Sequence, residues 1–204
     1  MTSPHAKGPD TPAGAVKRNR GAAADRILAA AADCVIRSGV ANTSMQDVAD
    51  TAAVSKGLIH YHFRDKAHLL ATLVAWLTAR VTGRQRAASG HVRPENAVDM
   101  VWSWVEGELT RGDLRALVAL SLDDTPYVRT ATRDALAVRR TSATEMVAAV
   151  YAALELTPRV PSALLAEVLV GFLDGLSTTT AVAEPGEQRV AFDAFWLALL
   201  TLGD

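Results

Sequence analysis

Apolar side chains recur at helical spacing along most of this chain. Between Ala22 and Ser38 they fall at Ile27, Ala31, Cys34 and Val35, which is one face of a helix, and Gly39 offers its stop. Thr43 follows with Gln46 three positions on. That is the pattern of a capping box, and it predicts a short helix with Met45, Val48 and Ala49 turned inward. Ser55 and Asp65 offer the next two N-caps. Between them Ile59 and Phe63, four apart, face inward. A longer helix is predicted from Lys66 to about Gly83, carried by Leu69, Leu70, Leu73, Val74, Leu77 and Val81. The polar stretch from Arg84 to Pro94 reads as a linker. Five further helical patterns follow, at 95–110, 113–122, 126–156, 161–183 and 187–202. Gly112 and the runs "DDTP", "TPRVP" and "EPGE" separate them, and Pro94, Pro126 and Pro161 suit helix first turns. No strand-like alternation competes, so the expected fold is all-α with nine helices.

Composition supports this and adds a division. Half of the 204 residues are apolar, mostly Ala, Val and Leu, which is enough for a sizeable core. The net charge of −1 points to no partner, but its distribution does. Residues 1–83 hold ten Lys and Arg against six Asp and Glu, whereas residues 84–204 hold eleven against sixteen. A basic N-terminal part on an acidic C-terminal part suggests two jobs, the first with an anion as partner. Met1–Arg20, with its Pro and Gly residues and "KRNR" at the end, reads as a disordered basic tail. The single cysteine, Cys34, excludes an internal disulfide and fits a cytoplasmic setting. Val160–Val182 is the most hydrophobic stretch, but Glu167, Asp174 and the Ser177–Thr180 run interrupt it, so no membrane span is expected.

The polar and aromatic residues concentrate in "TSMQDVADTAAVSKGLIHYHFRDKAHLL", Thr43 to Leu70. Two short capped helices with Val54 in a tight turn between them make a helix-turn-helix pattern. With Ile59 and Phe63 inside, Lys56, Gly57, His60 and Tyr61 are left outward, an arrangement that suits the major groove of DNA. Lysines offer point charges to phosphate, and glycine permits close approach of the sugar-phosphate backbone. The segment resembles the DNA-binding part of the TetR-family repressors, and the match runs through the first four helices. That resemblance implies a helix-turn-helix DNA-binding domain at 21–66 and a helical ligand-binding and dimerisation domain at 67–204. Helix four, 66–83, would connect them. It implies phosphate contacts from Thr43 or Ser44 and a reading surface of Ser55, Lys56, Gly57, His60, Tyr61 and His62. Lys66 would clamp phosphate, with Arg64 beside it. Two positions depart from the family pattern: its turn glycine is Ala53 here, and its tyrosine is His60, with Tyr61 next door. Either His60 or Tyr61 would then meet the phosphate.

Other chemistries find less support. His60 and His62 are two apart, on different helix faces, with no further metal ligand at suitable spacing, so no metal or cofactor is expected. No catalytic motif is present, and Glu106 and Glu108 read as solvated charges. A helical interaction module without DNA explains the C-terminal part but not the basic capped segment. In that part Trp76, Met100, Trp102, Trp104, Leu117, Leu120, Met146 and Phe172 are candidates for a ligand cavity, with Asp123, Asp174 and Thr178 as polar anchors. Trp102 and Trp104 cannot both face it. The mostly apolar set favours an uncharged or aromatic ligand. Gly171, Gly175 and Thr179 form a smooth ridge, and Phe192, Phe195, Trp196 and Leu199 give the last helix more apolar surface than one buried face needs. Both suit a homodimer, which the resemblance also implies, bound to a palindromic operator and released by a small effector. An activator and a constitutive DNA binder remain open.

Overall fold

The computed structural model describes residues 12–90, 92–180, 182–184 and 186–204. Among them are nine α-helices and no strand: α1 Pro12–Ser38, α2 Met45–Ala52, α3 Lys56–His62, α4 Lys66–Ser89, α5 Ala97–Arg111, α6 Asp113–Ser121, α7 Pro126–Ala153, α8 Ser162–Thr179 and α9 Glu187–Leu200. A 3-10 turn at Pro94–Asn96 precedes α5. The fold is all-α, as the periodicity predicts.

Helices α1 to α3 close a small core on the first half of α4. Ile27, Ala31, Cys34 and Val35 of α1 meet Val48 and Ala49 of α2, Ile59 of α3, and Phe63, all buried. Helix α4 then runs on into the larger part, where it packs most extensively against α7, and α7 against α8. Its Leu69, Leu70, Leu73, Val74, Leu77 and Val81 are buried as their spacing predicts. One continuous helix therefore has its first half in the core formed with α1 to α3 and its remainder in the C-terminal core.

Two boundaries differ from the sequence pattern. Helix α1 begins at Pro12, so Lys17–Arg20 lies within it rather than in a tail; Met1–Thr11 lie outside the described residues. Proline fits a first helical turn, and the Ala, Lys and Arg that follow are good helix formers. Helix α4 continues to Ser89, through most of the expected linker. Arg84 and Gln85 explain the extension. Gln85 is buried, and the Arg84 guanidinium reaches Glu108 Oε2 at 2.7 Å and Asp113 Oδ2 at 2.6 Å. Glu108 is accordingly not a solvated charge: it is fully buried, while Glu106 stays exposed. Its two carboxylate hydrogen bonds hold the Arg84 guanidinium above its ordinary pKa.

Helix α8 is long and apolar enough to cross a membrane, with a mean hydropathy of 1.3. It is instead packed on α7, with Glu167 and Asp174 paired to Arg140 and Arg139.

Candidate nucleic-acid interface and ligand cavity

The α2–α3 unit is shaped by local signals. Ser44, not Thr43, is the N-cap of α2: Asp47 N–H donates to Ser44 Oγ at 3.1 Å, and Ser44 N–H donates to Asp47 Oδ2 at 2.9 Å. The partner in the capping box is thus Asp47 rather than Gln46. Thr43 is buried, and its hydroxyl donates to the Gly39 carbonyl at 2.8 Å, which closes the α1–α2 loop. A surface phosphate contact from Thr43 is therefore excluded. Adjacent hydroxyls at 43 and 44 made the two indistinguishable by pattern. Ser44 stays exposed at the helix N-terminus.

After α2 the chain turns through Ala53, which takes the left-handed conformation at φ 52°, ψ 47°. This is where the resemblance places glycine, so the turn is retained with a residue less suited to it. Val54, half-buried, packs against the core, and Ser55 Oγ accepts the Leu58 N–H at 3.2 Å to start α3. Ile59 is the anchor of α3, with no exposed surface. Gly57 and Tyr61, two before and two after it, point nearly opposite at 100° per residue. Tyr61 is 61% exposed. A side chain added at Gly57 would meet nothing nearer than Ser55 Oγ at 3.9 Å. Lys56 and His60 are exposed beside them, and His62 is half-buried, its ring 5.2 Å from that of Tyr61 and 6.1 Å from that of Phe63. Tyr61 thus holds the middle of the outward face and His60 its flank.

Asp65 caps α4, accepting the His68 N–H at 2.8 Å. This backbone bond, then Arg64, holds the Asp65 carboxyl below its ordinary pKa; the Ser44 hydroxyl and backbone do the same for Asp47. Lys66 differs from expectation. Its ammonium donates to the carbonyls of Val40 at 2.8 Å and Ala41 at 3.4 Å. It ties α4 to the start of the α1–α2 loop, just past the C-terminus of α1, where carbonyls lack helical partners. Arg64 is exposed and pairs with Asp65 at 3.0 Å.

The expected cavity residues do not converge. Leu120 and Met146 are fully buried core. Trp76 donates to Asp25 Oδ1 at 3.1 Å and carries Arg80 over its ring at 4.4 Å, clamping α1 to α4. Trp104 is buried, near the end of α4, where Met100 lines a shallow hollow with it. Trp102 sits against Phe192 at 5.1 Å under Arg189. Phe172 stacks on Phe195 at 4.1 Å, Thr178 is exposed, and Asp123 accepts the Thr125 N–H before α7. Leu117 and Asp174 line a second cavity, deeper in the chain. It measures about 130 Å³ between α4, α6, α7 and α8, and its other walls are Val74, Val118, Ser121, Thr132, Ala135, Leu136 and Arg139. Arg139 is the residue that pattern reading missed. It stands on the inward stripe of α7 with Ala135, Ser142 and Met146, where a charge among apolar positions is itself a signal.

The expected pairing surface also shifts. Phe192, Trp196 and Leu199 are buried within the chain, because α9 folds back on α5 and α8, so they are not available to a second copy. Phe195 is half-buried on Phe172. Gly171, Gly175 and Thr179 are exposed, together with Leu164 and Val168 on α8 and Val190 and Leu197 on α9.

Residues 27–73 match the family model of bacterial regulatory proteins of the tetR family. Over 73 residues the chain is 34% identical to the HTH-type transcriptional regulator CymR of Pseudomonas putida. The helix-turn-helix segment is thus of the TetR type. The CymR match spans 36% of each protein, so it covers little more than a third of that relative's length. TetR-type architecture extends further than the sequence match. A TetR transcription regulator from Haloarcula marismortui superposes with a TM-score of 0.72 at 16% identity, over 90% of this chain and 100% of the other. SmeT, solved as a complex with triclosan, superposes with a TM-score of 0.63 at 18% identity, over 87% and 91%. At these identities the likeness is one of fold.

Proposed function

We propose that this chain is a DNA-binding transcriptional regulator that works in the cytoplasm as a homodimer, a repressor released from a palindromic operator by a small ligand. The observation that carries the reading is the capped α2–turn–α3 unit, whose outward face holds Gly57 and Tyr61 at its centre and Lys56, His60 and Ser44 at its edges. Ile59 and Phe63 fix this face by burial, and the open space above Gly57 lets a phosphate backbone approach. No catalytic residue and no cofactor enters the reading.

The response to ligand follows from α4. Its first turn is fastened to the α1–α2 loop through Lys66, and its Val74 is a wall of the 130 Å³ cavity. A guest there acts on the packing of the helix that carries the DNA-binding unit. SmeT, a neighbour of like fold, was solved with triclosan bound, which supports a ligand role for the C-terminal part. The ligand must prefer one of two arrangements, since equal affinity for both shifts nothing. Two copies joined through the exposed α8–α9 face would present two α3 helices, and reading a palindrome requires them about 34–36 Å apart.

Salt titration of binding to duplexes drawn from the neighbouring genomic sequence tests the reading. Affinity is expected to fall steeply with salt, and Lys56→Ala to reduce the slope by about one. Absence of salt-dependent binding to any such duplex would leave a helical interaction module as the better account.

A further inference from the structure

The start of α6 meets the DNA-binding unit along a boundary that is not close-packed. A hollow of about 170 Å³ lies between α1, α4 and the α5–α6 corner, and α1 gives it the short side chains Ala29 and Ala32. The one tight approach is that of Ile36, whose Cδ1 lies 3.0 Å from where a β-carbon at Gly112 would stand. Elsewhere close packing does not fix α6 against α1. Four side chains cross the gap instead. Asp25 of α1 accepts the Trp76 indole N–H at 3.1 Å. The Arg80 guanidinium lies over the Trp76 ring at 4.4 Å, and its Nε donates to Asp113 Oδ2 of α6 at 3.4 Å.

The two ends of this link are anchored differently. Asp113 is buried, and the same Oδ2 accepts Arg84 Nη2 at 2.6 Å, while Arg84 also holds the fully buried Glu108 of α5 at 2.7 Å. That end is fixed to the C-terminal core, because moving either carboxylate away would leave a buried charge without its cation. Asp25 and Arg80 are exposed and Trp76 is half-buried, so they make their contacts without forming the core. Arg80 is the joint between the two ends. It stands roughly four turns beyond Lys66, about 21 Å along α4, and is therefore remote from the helix end that approaches DNA.

We propose that Arg80 is a positioning residue: through Trp76 and Asp25 it sets the orientation of α1, and with it the DNA-binding unit, relative to α6. The inference rests on the regulator reading for its effect on DNA, and on the geometry alone for its effect on α1. Duplex binding and hydrogen exchange of the whole chain carrying Arg80→Met, Trp76→Phe or Arg86→Met test it. Trp76→Phe keeps a ring under Arg80 but removes the donor to Asp25. Arg86→Met removes the same charge from the same helix, where Arg86 pairs with Glu145 of α7 instead. Arg80→Met and Trp76→Phe are each expected to weaken duplex affinity about 2- to 30-fold, the range for mutations that alter coupling between sites. The salt slope stays unchanged, because no phosphate contact is lost. The double variant is expected to lose no more than the worse single variant, since both changes cut one link, whereas independent losses multiply. Amides of α1 exchange faster in Arg80→Met and Trp76→Phe, and neither affinity nor exchange changes in Arg86→Met. A lower melting temperature with unchanged affinity of the folded chain would reduce Arg80 to a stabilising role and overturn the proposal. So would an equal loss in Arg86→Met, a smaller salt slope in Arg80→Met, or losses that multiply. If the parent chain binds no duplex, the regulator reading fails by itself and exchange decides the positioning role: faster exchange confined to the two link variants supports it, and unchanged exchange in α1 overturns it.

Discussion

Ala53 shows how a single position is constrained by the backbone rather than by its contacts. Its φ of 52° lies in the left-handed region, where a β-carbon crowds the following carbonyl. The conformation is imposed from both sides: Ala53 N–H bonds the Asp50 carbonyl and Val54 N–H bonds the Ala49 carbonyl, which together end α2. Glycine would adopt it without the clash. Ala53→Gly is therefore expected to stabilise the chain by about 1 kcal/mol, despite removing a methyl from an exposed site. Urea denaturation checks this, and a loss of stability would mean that glycine's freedom in the unfolded chain outweighs the relief of strain. Lys66 carries a related lesson. By sequence it is a cation at a helix N-terminus facing solvent; in the fold its ammonium is held by two carbonyls of the α1–α2 loop. That contact joins residues some 25 positions apart, and no local pattern contains it.

At the scale of elements, Ser44, Ser55 and Asp65 set where α2, α3 and α4 begin, and the last two could be read from the chain. Ser55 and Asp65 cap where the spacing puts them, and the inward faces of α1 to α4 follow their apolar periods. The reason is that caps and amphipathic faces act within one or two turns of chain. The sequence pattern puts the α2 cap one residue early, at Thr43, because Thr43 and Ser44 both carry hydroxyls; burial in the loop, a tertiary matter, assigns Thr43 another partner. Ser44→Ala is expected to cost about 1 kcal/mol of stability, with Thr43→Ala acting through the loop instead. The same caps make the unit sensitive to acid. Asp47 and Asp65 both have folded pKa values below their ordinary 3.8, because backbone and hydroxyl donors favour the charged form. Their contribution is complete above that value and is lost as pH falls through the lower folded values. Stability measured from neutral pH downward should decline in that window, and the decline should be shallower in Asp47→Asn. Identical acid profiles would show that the capping carboxylates do not differ between the folded and unfolded chain.

At the scale of the molecule, the parts that sequence did not reveal are those decided by packing among several helices. The periodicity places Trp102, Trp104, Phe192 and Trp196 on helices, but which neighbours cover them depends on how α5, α8 and α9 meet. Glu108 and Arg139 are buried because distant charges, Arg84 and Asp174, arrive to pair with them. The α8–α9 face poses the complementary question, since nothing among the described residues covers it. Leu164 is 54% and Val168 49% exposed, and a β-carbon added at Gly171 or Gly175 would meet no atom within 4 Å. Within one chain these glycines serve no packing purpose, yet each sits inside a helix, where it is less favourable than alanine by about 1 kcal/mol. The two possible surroundings give opposite results for Gly175→Ala. On a free surface the change stabilises the helix, raising the melting temperature by about 2–4 °C for a chain of this size, with association unaffected. Against a second copy whose helix approaches closely, the added methyl forces the backbones apart and weakens the dimer. The proposed dimer requires the second result: weaker association in sedimentation equilibrium, with operator affinity reduced in step because one α3 helix reads only half of a palindrome. Val168→Glu, which places a charge on the same face, should give a folded monomer by the same measurement. Unchanged association in both variants would move the homodimer to another surface.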